Sequence, residues 1–299
     1  MKQSLALCLL LSGLSCGGAL AQAPAPPIET IYSDAQRAKD LTASQHMVDL
    51  MLAPSFSIDG QYARWKQPIC PHVYGLNPVT AWFVEHHIRE VAAMVGAPVD
   101  RNDPCLPNIG IIFTAEPQAS LLSIAARRPF LLQGGAQKLT VNYPVQAWYT
   151  TWKTDYDGFK TIDIPWEISE PWRDGYNDPP QVKANDSRLH TGQTAEMGAA
   201  TVLVDTKAAT GMTLGELSDY LAFMTLAQAS QYGACLPMET ISNLMTPGCG
   251  ADDTAHRLSH ADIALLTALY EVPDEPELLQ KQRIVGAMRR SLEKQFGRE

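Results

Sequence analysis

Residues 198–228 read GAATVLVDTKAATGMTLGELSDYLAFMTLAQ. Two apolar blocks stand on either side of a short polar link. GAATVLVD, 198–205, has the length and the β-branched content of a buried strand. TLGELSDYLAFMTLAQ, 213–228, is too long for one. Thr213 and Glu216, three apart, have the spacing of a capping box, so a helix is expected to open there. A strand followed by a capped helix makes the fold mixed, and the rest of the chain is read outward from this pair.

Upstream, NIGIIFTA, 108–115, is a second short apolar run. Prolines bound it, which predicts a buried strand, with a helix following through about Arg127. Asn77-Pro78 is a strong helix start, Asn as N-cap and Pro at the first helical position. That helix should reach Val95 and stop at Gly96, with Ala81, Val84, Ile88, Val91, Ala92 and Val95 as its apolar stripe. QYARWKQPICPHVYGL, 61–76, reads as a strand with a proline-marked interruption, so 61–128 is expected to run β-α-β-α. A further helix is predicted from about Ser33 to Leu52, ending before Pro54.

Downstream, a strand is expected at 145–152 and a turn at Asp157-Gly158, then a long irregular stretch. Two helices close the chain, at 259–271 and 275–296, the last with Leu278, Leu279, Val285, Met288, Leu292 and Phe296 on its apolar side. There is no internal repeat and no low-complexity tract. The fold class is therefore α+β, an N-terminal β-α-β-α unit followed by a mixed strand/helix half that ends in a helical segment. The organisation expected is residues 1–21 as signal peptide, 22–32 as a Pro/Ala-rich leader, 33–140 as an N-terminal half, and 141–299 as a C-terminal half carrying an aromatic-rich loop at 143–186.

The signal-peptide reading rests on MKQSLALCLLLSGLSCGGALAQ. Lys2 precedes an apolar run from Leu5 to Leu14, and Ala19-Leu20-Ala21 is a small-residue cleavage site, so cleavage is expected after Ala21. The run is shorter than the roughly 20 apolar residues that span a bilayer. Cys16 offers an alternative as a lipid attachment point, but Gly13 stands where such sites usually have Leu. No later segment is apolar enough to cross a membrane. The expectation is an exported protein, periplasmic or secreted.

With 45% hydrophobic and 18% charged residues in 299, the chain is a folding one rather than a disordered one. Its formal charge is −9, and losing Lys2 leaves 22 basic against 32 acidic residues, or −10. Such a surface repels nucleic acid and anionic lipid, so neither is expected as a partner. Past residue 21 four cysteines remain, Cys70, Cys105, Cys235 and Cys249. An even number in an exported chain reads as disulfides. Of three possible pairings, Cys70–Cys105 with Cys235–Cys249 is preferred, because each pair closes a local loop. A four-cysteine zinc site would need CxxC spacing, which is absent.

The histidines come next. HRLSH, 256–260, sets two of them four apart, which on one helix would begin a zinc site. Ser259, with Asp262 three residues on, is placed to cap the helix LSHADIALLTALY, which leaves His256 outside it. In FVEHHIREV, 83–91, Glu85, His86, Arg89 and Glu90 point away from the stripe, and His87 lies at its edge. His86 and Glu90 could pair, without a visible third ligand. His46, His72 and His190 are isolated. No metal and no cofactor are expected. HExxH, GxSxG, Walker and GxGxxG signatures are all missing. Glu216 and Asp219 could form an acid/base pair on a cleft floor, although carboxylates three apart are common on ordinary helix surfaces. Residues 143–186 hold four of the six Trp. Trp148, Tyr149 and Trp152, with Tyr220 on the neighbouring helix, are candidates for a binding surface; the competing reading packs those rings onto their own domain.

RWKQPICPHVYGL, VGAPV and CLPNIGIIFTAEPQ, followed by VLVD, TLGELSDYLAFMTLAQ, PMETISNLM and LSHADIALLTALY, resemble an uncharacterised family of exported proteobacterial proteins over most of the chain. The C-terminal half is also similar, more distantly, to metallopeptidase-like bacterial domains of unknown function. Asp262, Leu265, Leu266, Leu269 and Tyr270 carry that second likeness. It implies a zincin-like scaffold, yet residues 213–228 contain no histidine, so the scaffold would lack its metal. The reading is an exported, non-catalytic binding or envelope-associated protein for a peptide, glycan or envelope component. The rival is a hydrolase, peptidase or glycan-acting, with a carboxylate site at Glu216 and Asp219. Carboxylates on a cleft floor would favour the hydrolase; a groove without them would favour the binder.

Overall fold

A computed structural model describes residues 34–54, 60–102, 104–132, 140–155, 157–158, 160–163, 192–230, 235–236, 238–246 and 248–296. The signal-peptide, leader and Cys16 readings lie outside those residues. So do Trp166, Trp172 and His190 of the expected irregular stretch.

The segment 198–205 is the hub of a five-stranded mixed sheet. The strands are β1 (Pro71–Tyr74), β2 (Ile109–Thr114), β3 (Val145–Asp155), β4 (Lys160–Asp163) and β5 (Gln193–Asp205), in the order β1-β2-β5-β3-β4. β1, β2 and β5 are parallel, while β3 runs antiparallel to both β5 and β4. In register, Ile109 faces Ala200 and Thr114 faces Asp205. A strand paired on both edges and covered on both faces reads as a continuous apolar run. Val202 and Val204 enter the main core, and Leu203, on the opposite face, joins Leu121, Leu132 and Trp148 in a second, smaller core. β5 starts five residues before the apolar run, because Gln193–Met197 continues the pairing with the far end of β3 while Glu196 bridges Arg64 on its other edge.

Among the described residues six helices accompany the sheet: α1 (Asp34–Met51), α2 (Pro78–Val95), α3 (Pro117–Arg127), α4 (Leu214–Leu226), α5 (His260–Glu271) and α6 (Glu277–Phe296). α2 begins with Asn77 accepting from the Thr80 N–H and ends on left-handed Gly96, with the six stripe residues buried as expected. α2, α4 and α5 pack together over one face of the sheet, and α3 covers the other. The halves expected on either side of residue 140 share this one sheet, since β5 lies between β2 and β3. From Ser33 onward the chain forms one compact unit.

Three expectations need correction. Residues 61–70 are not strand: only Pro71–Tyr74 is, and Arg64 and Ile69 make isolated bridges. Pro68 and Pro71 lack the N–H a ladder needs, and side chains of this segment hold it instead. Gln61 bonds the backbone of Gln193 and Ala195, and Tyr62 N–H donates to Gln280. The turn at Asp157-Gly158 leads into a short strand, β4, that the irregular reading missed. Leu278, read as part of the apolar side of the last helix, is exposed in its first turn, whereas Ile284, Val285 and Met288 are buried.

Two glycines are fixed by close approach. Gly75, at φ 87°, follows β1, and a Cβ there would strike the Phe113 carbonyl. At Gly198 of β5 a Cβ would fall inside the Trp152 indole. Both expected disulfides are present, Cys70–Cys105 with Cα atoms 6.0 Å apart and Cys235–Cys249 at 5.3 Å.

Candidate functional site

Every residue of α4 from Leu217 to Leu226 is buried. A helix so enclosed needs partners at both ends, because its first N–H and last C=O groups have none within the helix. Thr213 and Glu216 supply the capping box at the start. At the other end three ring donors take three successive carbonyls. Tyr149 O–H donates to Met224 O at 2.6 Å, Trp65 Nε1–H to Thr225 O at 2.7 Å, and Tyr270 O–H to Leu226 O at 2.6 Å. Burial pushes the Tyr149 and Tyr270 phenols far up, so both remain donors. α5 is closed similarly, with Arg64 Nη1 donating to Leu269 O and Val272 O.

The polar face of α4 carries Asp219, whose side chain is only 3% exposed. Its Oδ1 lies 2.5 Å from His87 Nε2 on α2. Its Oδ2 accepts from Arg257 Nε at 2.6 Å and from the Leu258 N–H at 3.3 Å. An ionised carboxylate only accepts, so the imidazole proton sits on Nε2. Burial works to raise the Asp219 carboxyl, but the bonds and charges of His87 and Arg257 outweigh it and hold it below the ordinary value. One turn earlier, Glu216 bonds Thr213 and His256. The Thr213 bonds first, then His256, lower it from 4.5 to about 2. A carboxylic acid that donates a proton near neutral pH needs the opposite shift. Both carboxylates of the expected acid/base pair are thus ionised and tied to architecture.

Asp219 and Tyr220 are consecutive, hence about 100° apart around the helix axis. On the Tyr220 face a narrow cleft of about 20 Å³ opens, room for a water-sized group, lined by Tyr143, Val145, Tyr220, Met224, Ser230, Ser242, Met245 and Thr246. No carboxylate, imidazole or cation belongs to this lining. Tyr220 makes no hydrogen bond among the described residues, and burial raises its phenol, so it faces the cleft as a neutral donor. A larger and more open depression of about 630 Å³ lies where β2 meets α3, at Thr114, Glu116, Ser120 and neighbours. Thr114 Oγ1 there already meets the Ser120 hydroxyl and the Glu116 N–H.

The structure separates the residues singled out in the sequence. Trp148 is interior, in the core beneath α3, and Tyr149 is a helix cap, so packing describes both. Trp152 is half-buried over Gly198. Tyr220 alone of the six candidates lines the cleft; Glu216 and Asp219 do not. Ser259 caps α5 with Asp262, leaving His256 outside the helix. His86 pairs with Glu90 at 3.3 Å and stacks on exposed Trp82, and His72 meets Glu85 at 3.2 Å. Among the described residues no group of three or more His, Cys, Asp or Glu is arranged to hold a metal. Reading the sequence missed the His87–Asp219–Arg257 cluster altogether. His87 at the stripe's edge was its one local sign.

Comparison of the chain with protein-family models, with curated proteins and with solved structures finds no match.

Proposed function

We propose that the protein is a non-catalytic binding protein that works outside the cytoplasm, with the Tyr220 cleft as its ligand site. One observation carries the reading. The cleft beside α4 has no carboxylate, imidazole or cation among the described residues of its lining, and neither Glu216 nor Asp219 belongs to it, each being bonded elsewhere. Pockets that bind without chemistry are mostly apolar with a few placed polar groups. Here Met224, Met245 and Val145 supply the apolar part, and the Tyr220, Ser230 and Thr246 hydroxyls the polar part. The part of a ligand that enters is accordingly small and uncharged, with an acceptor for Tyr220, as a peptide carbonyl or the tip of a neutral envelope component would be. Two disulfides, and the lack of any described helix long and apolar enough to cross a membrane, are compatible with export.

The rival hydrolase keeps one point in its favour, an imidazole oriented by Asp219. It lacks a nucleophile, for no hydroxyl or thiol bonds His87 among the described residues. The test uses protein labelled with ¹³C at methionine methyls. Short blocked peptides and neutral oligosaccharides are titrated separately. Saturable shifts at Met224 and Met245, with exposed Met94 unmoved, support the binder. Turnover of either probe, lost in Asp219→Asn, would install the hydrolase in its place.

A further inference from the structure

Three of the eight cleft residues, Ser242, Met245 and Thr246, belong to one covalent ring closed by Cys235–Cys249. A short 3₁₀ turn, Ile241–Met245, forms this wall. Two side chains anchor it, one at its start and one at its middle. At the start Asp262 of α5 accepts from Thr240 Oγ1 at 2.5 Å and from the Ile241 N–H at 2.9 Å. At the middle Asn243 reads the Leu236 backbone in both directions, accepting its N–H at 3.0 Å and donating to its carbonyl at 3.1 Å. Asn243 Nδ2 also reaches Asp253 O at 2.7 Å. Leu236 directly follows Cys235. The disulfide and the Asn243 doublet therefore fasten the same point, and the Asp262 anchor does not depend on either.

The two disulfides also differ in access. Cys235 is exposed and Cys249 half-buried, whereas Cys70 is buried at the head of β1 with only Cys105 partly open. Exchange needs an approach to sulfur from solvent. We propose that Cys235–Cys249 is a redox-controlled wall of the cleft. Oxidised, it holds Met245 against the α4 side of the cleft; reduced by a dithiol, it releases that wall while the Asp262 anchor and the fold remain. In the reaction one thiolate of the dithiol attacks Cys235 Sγ. The S–S bond breaks, and Cys249 leaves as a thiolate and takes a proton. The second thiol of the reductant then displaces Cys235, giving two cysteine thiols and the oxidised, cyclic reductant. Any effect on ligand rests on the binding role proposed above; the movement of the wall does not.

The full chain, ¹³C-labelled at methionine methyls, is treated with rising dithiothreitol and no ligand, and free thiols are alkylated and mapped. Cys235 and Cys249 should be labelled first, with Cys70 and Cys105 still protected. At that stage the Met245 signal should shift or broaden and Met224 follow, with Met94 and Met288 unchanged. The double variant Cys235→Ser with Cys249→Ser should show the same spectrum without reductant. Simultaneous reduction of both disulfides overturns the proposal, as does an unmoved Met245 signal once Cys235 and Cys249 are alkylated. Loss of the folded spectrum at that stage overturns it too, since the ring would then belong to the core. A protein that passes this test yet binds no probe would sink the binding role alone.

Discussion

Asp219 and Tyr220 are neighbours in the chain and opposites in circumstance. Asp219 has both carboxylate oxygens answered, by His87, Arg257 and the Leu258 N–H. Tyr220, equally buried, faces a cleft with an unanswered hydroxyl. Both carboxylates of α4 are tied to neighbouring elements, whereas the described lining of the cleft at Tyr220 consists of phenols, hydroxyls and apolar side chains. An Asp beside a His is therefore a poor guide to activity until the space around the pair is known. In this chain the pair clips the 256–258 loop and α2 onto α4.

That contrast breaks most visibly at Asp219. Asp219→Ala leaves a half-buried imidazole and the Leu258 N–H without a partner. Removing one member of a buried ion pair costs about 3–5 kcal/mol. Arg257 is largely exposed and regains water, so a loss of about 2–3 kcal/mol is expected. It should appear as a lower urea midpoint with an unchanged slope. A fall below roughly 0.5 kcal/mol, the range of ordinary surface changes, would mean that the cluster is idle and free for chemistry.

Next in size is Tyr149→Phe. The hydroxyl answers the Met224 carbonyl at the closed end of α4, and an orphaned buried acceptor costs about 1–2 kcal/mol. Tyr270→Phe should behave alike at Leu226. If either change were neutral, water reaches those carbonyls and the ring donors are not needed.

A smaller effect concerns acid. Glu216 is lowered from 4.5 to about 2 on folding. A depressed carboxyl contributes stability in full above its unfolded value and loses it as pH falls through the folded one. Glu216 therefore helps above pH 4.5 and gives up its share between 4.5 and about 2. Asp262 works the other way, because burial raises it despite the bonds it accepts. Glu216→Gln keeps a capping side chain at that position, so it should flatten the acid loss in that window while leaving neutral-pH stability nearly unchanged. Parallel urea titrations at pH 7 and pH 3 decide it, and identical slopes against pH in the two proteins would contradict the assignment.

What could be read in advance was local. Asn77-Pro78, Thr213 with Glu216, and Ser259 with Asp262 each declare a helix start within four residues, and all three appear. The apolar runs at 109–114 and 198–205 are strands because neighbours cover both their faces. The site was not legible, for its bonds join distant positions. His87 and Asp219 are 132 residues apart, Trp65 and the carbonyl it caps 160. Nothing at either end of such a bond marks the other. Residues 61–65 look like a strand for the same reason: the Trp65 ring, the Arg64 guanidinium and the Tyr62 backbone N–H stitch α4, α5 and α6 instead of joining a sheet ladder.

The smallest expected change in stability is at Tyr220→Phe, and it tests the other half of the contrast. The hydroxyl has no described partner, so its removal leaves no orphan and takes a polar atom out of a buried place. The stability change should stay within about 0.5 kcal/mol, in either direction. Ligand binding should respond more. A neutral hydrogen bond is worth about 0.5–1.5 kcal/mol, which converts to a roughly two- to twelvefold weaker Kd. The matched control is Tyr270→Phe, the same chemical change on the same core, where stability falls and neither Tyr270 nor its acceptor Leu226 belongs to the cleft lining. Calorimetry of both variants with whichever probe shifts the Met224 signal separates the roles. If Tyr220→Phe instead destabilised the fold as much as Tyr270→Phe, its hydroxyl would be holding the wall at 242–246. The recess would then be a seam in the packing rather than a place for a ligand.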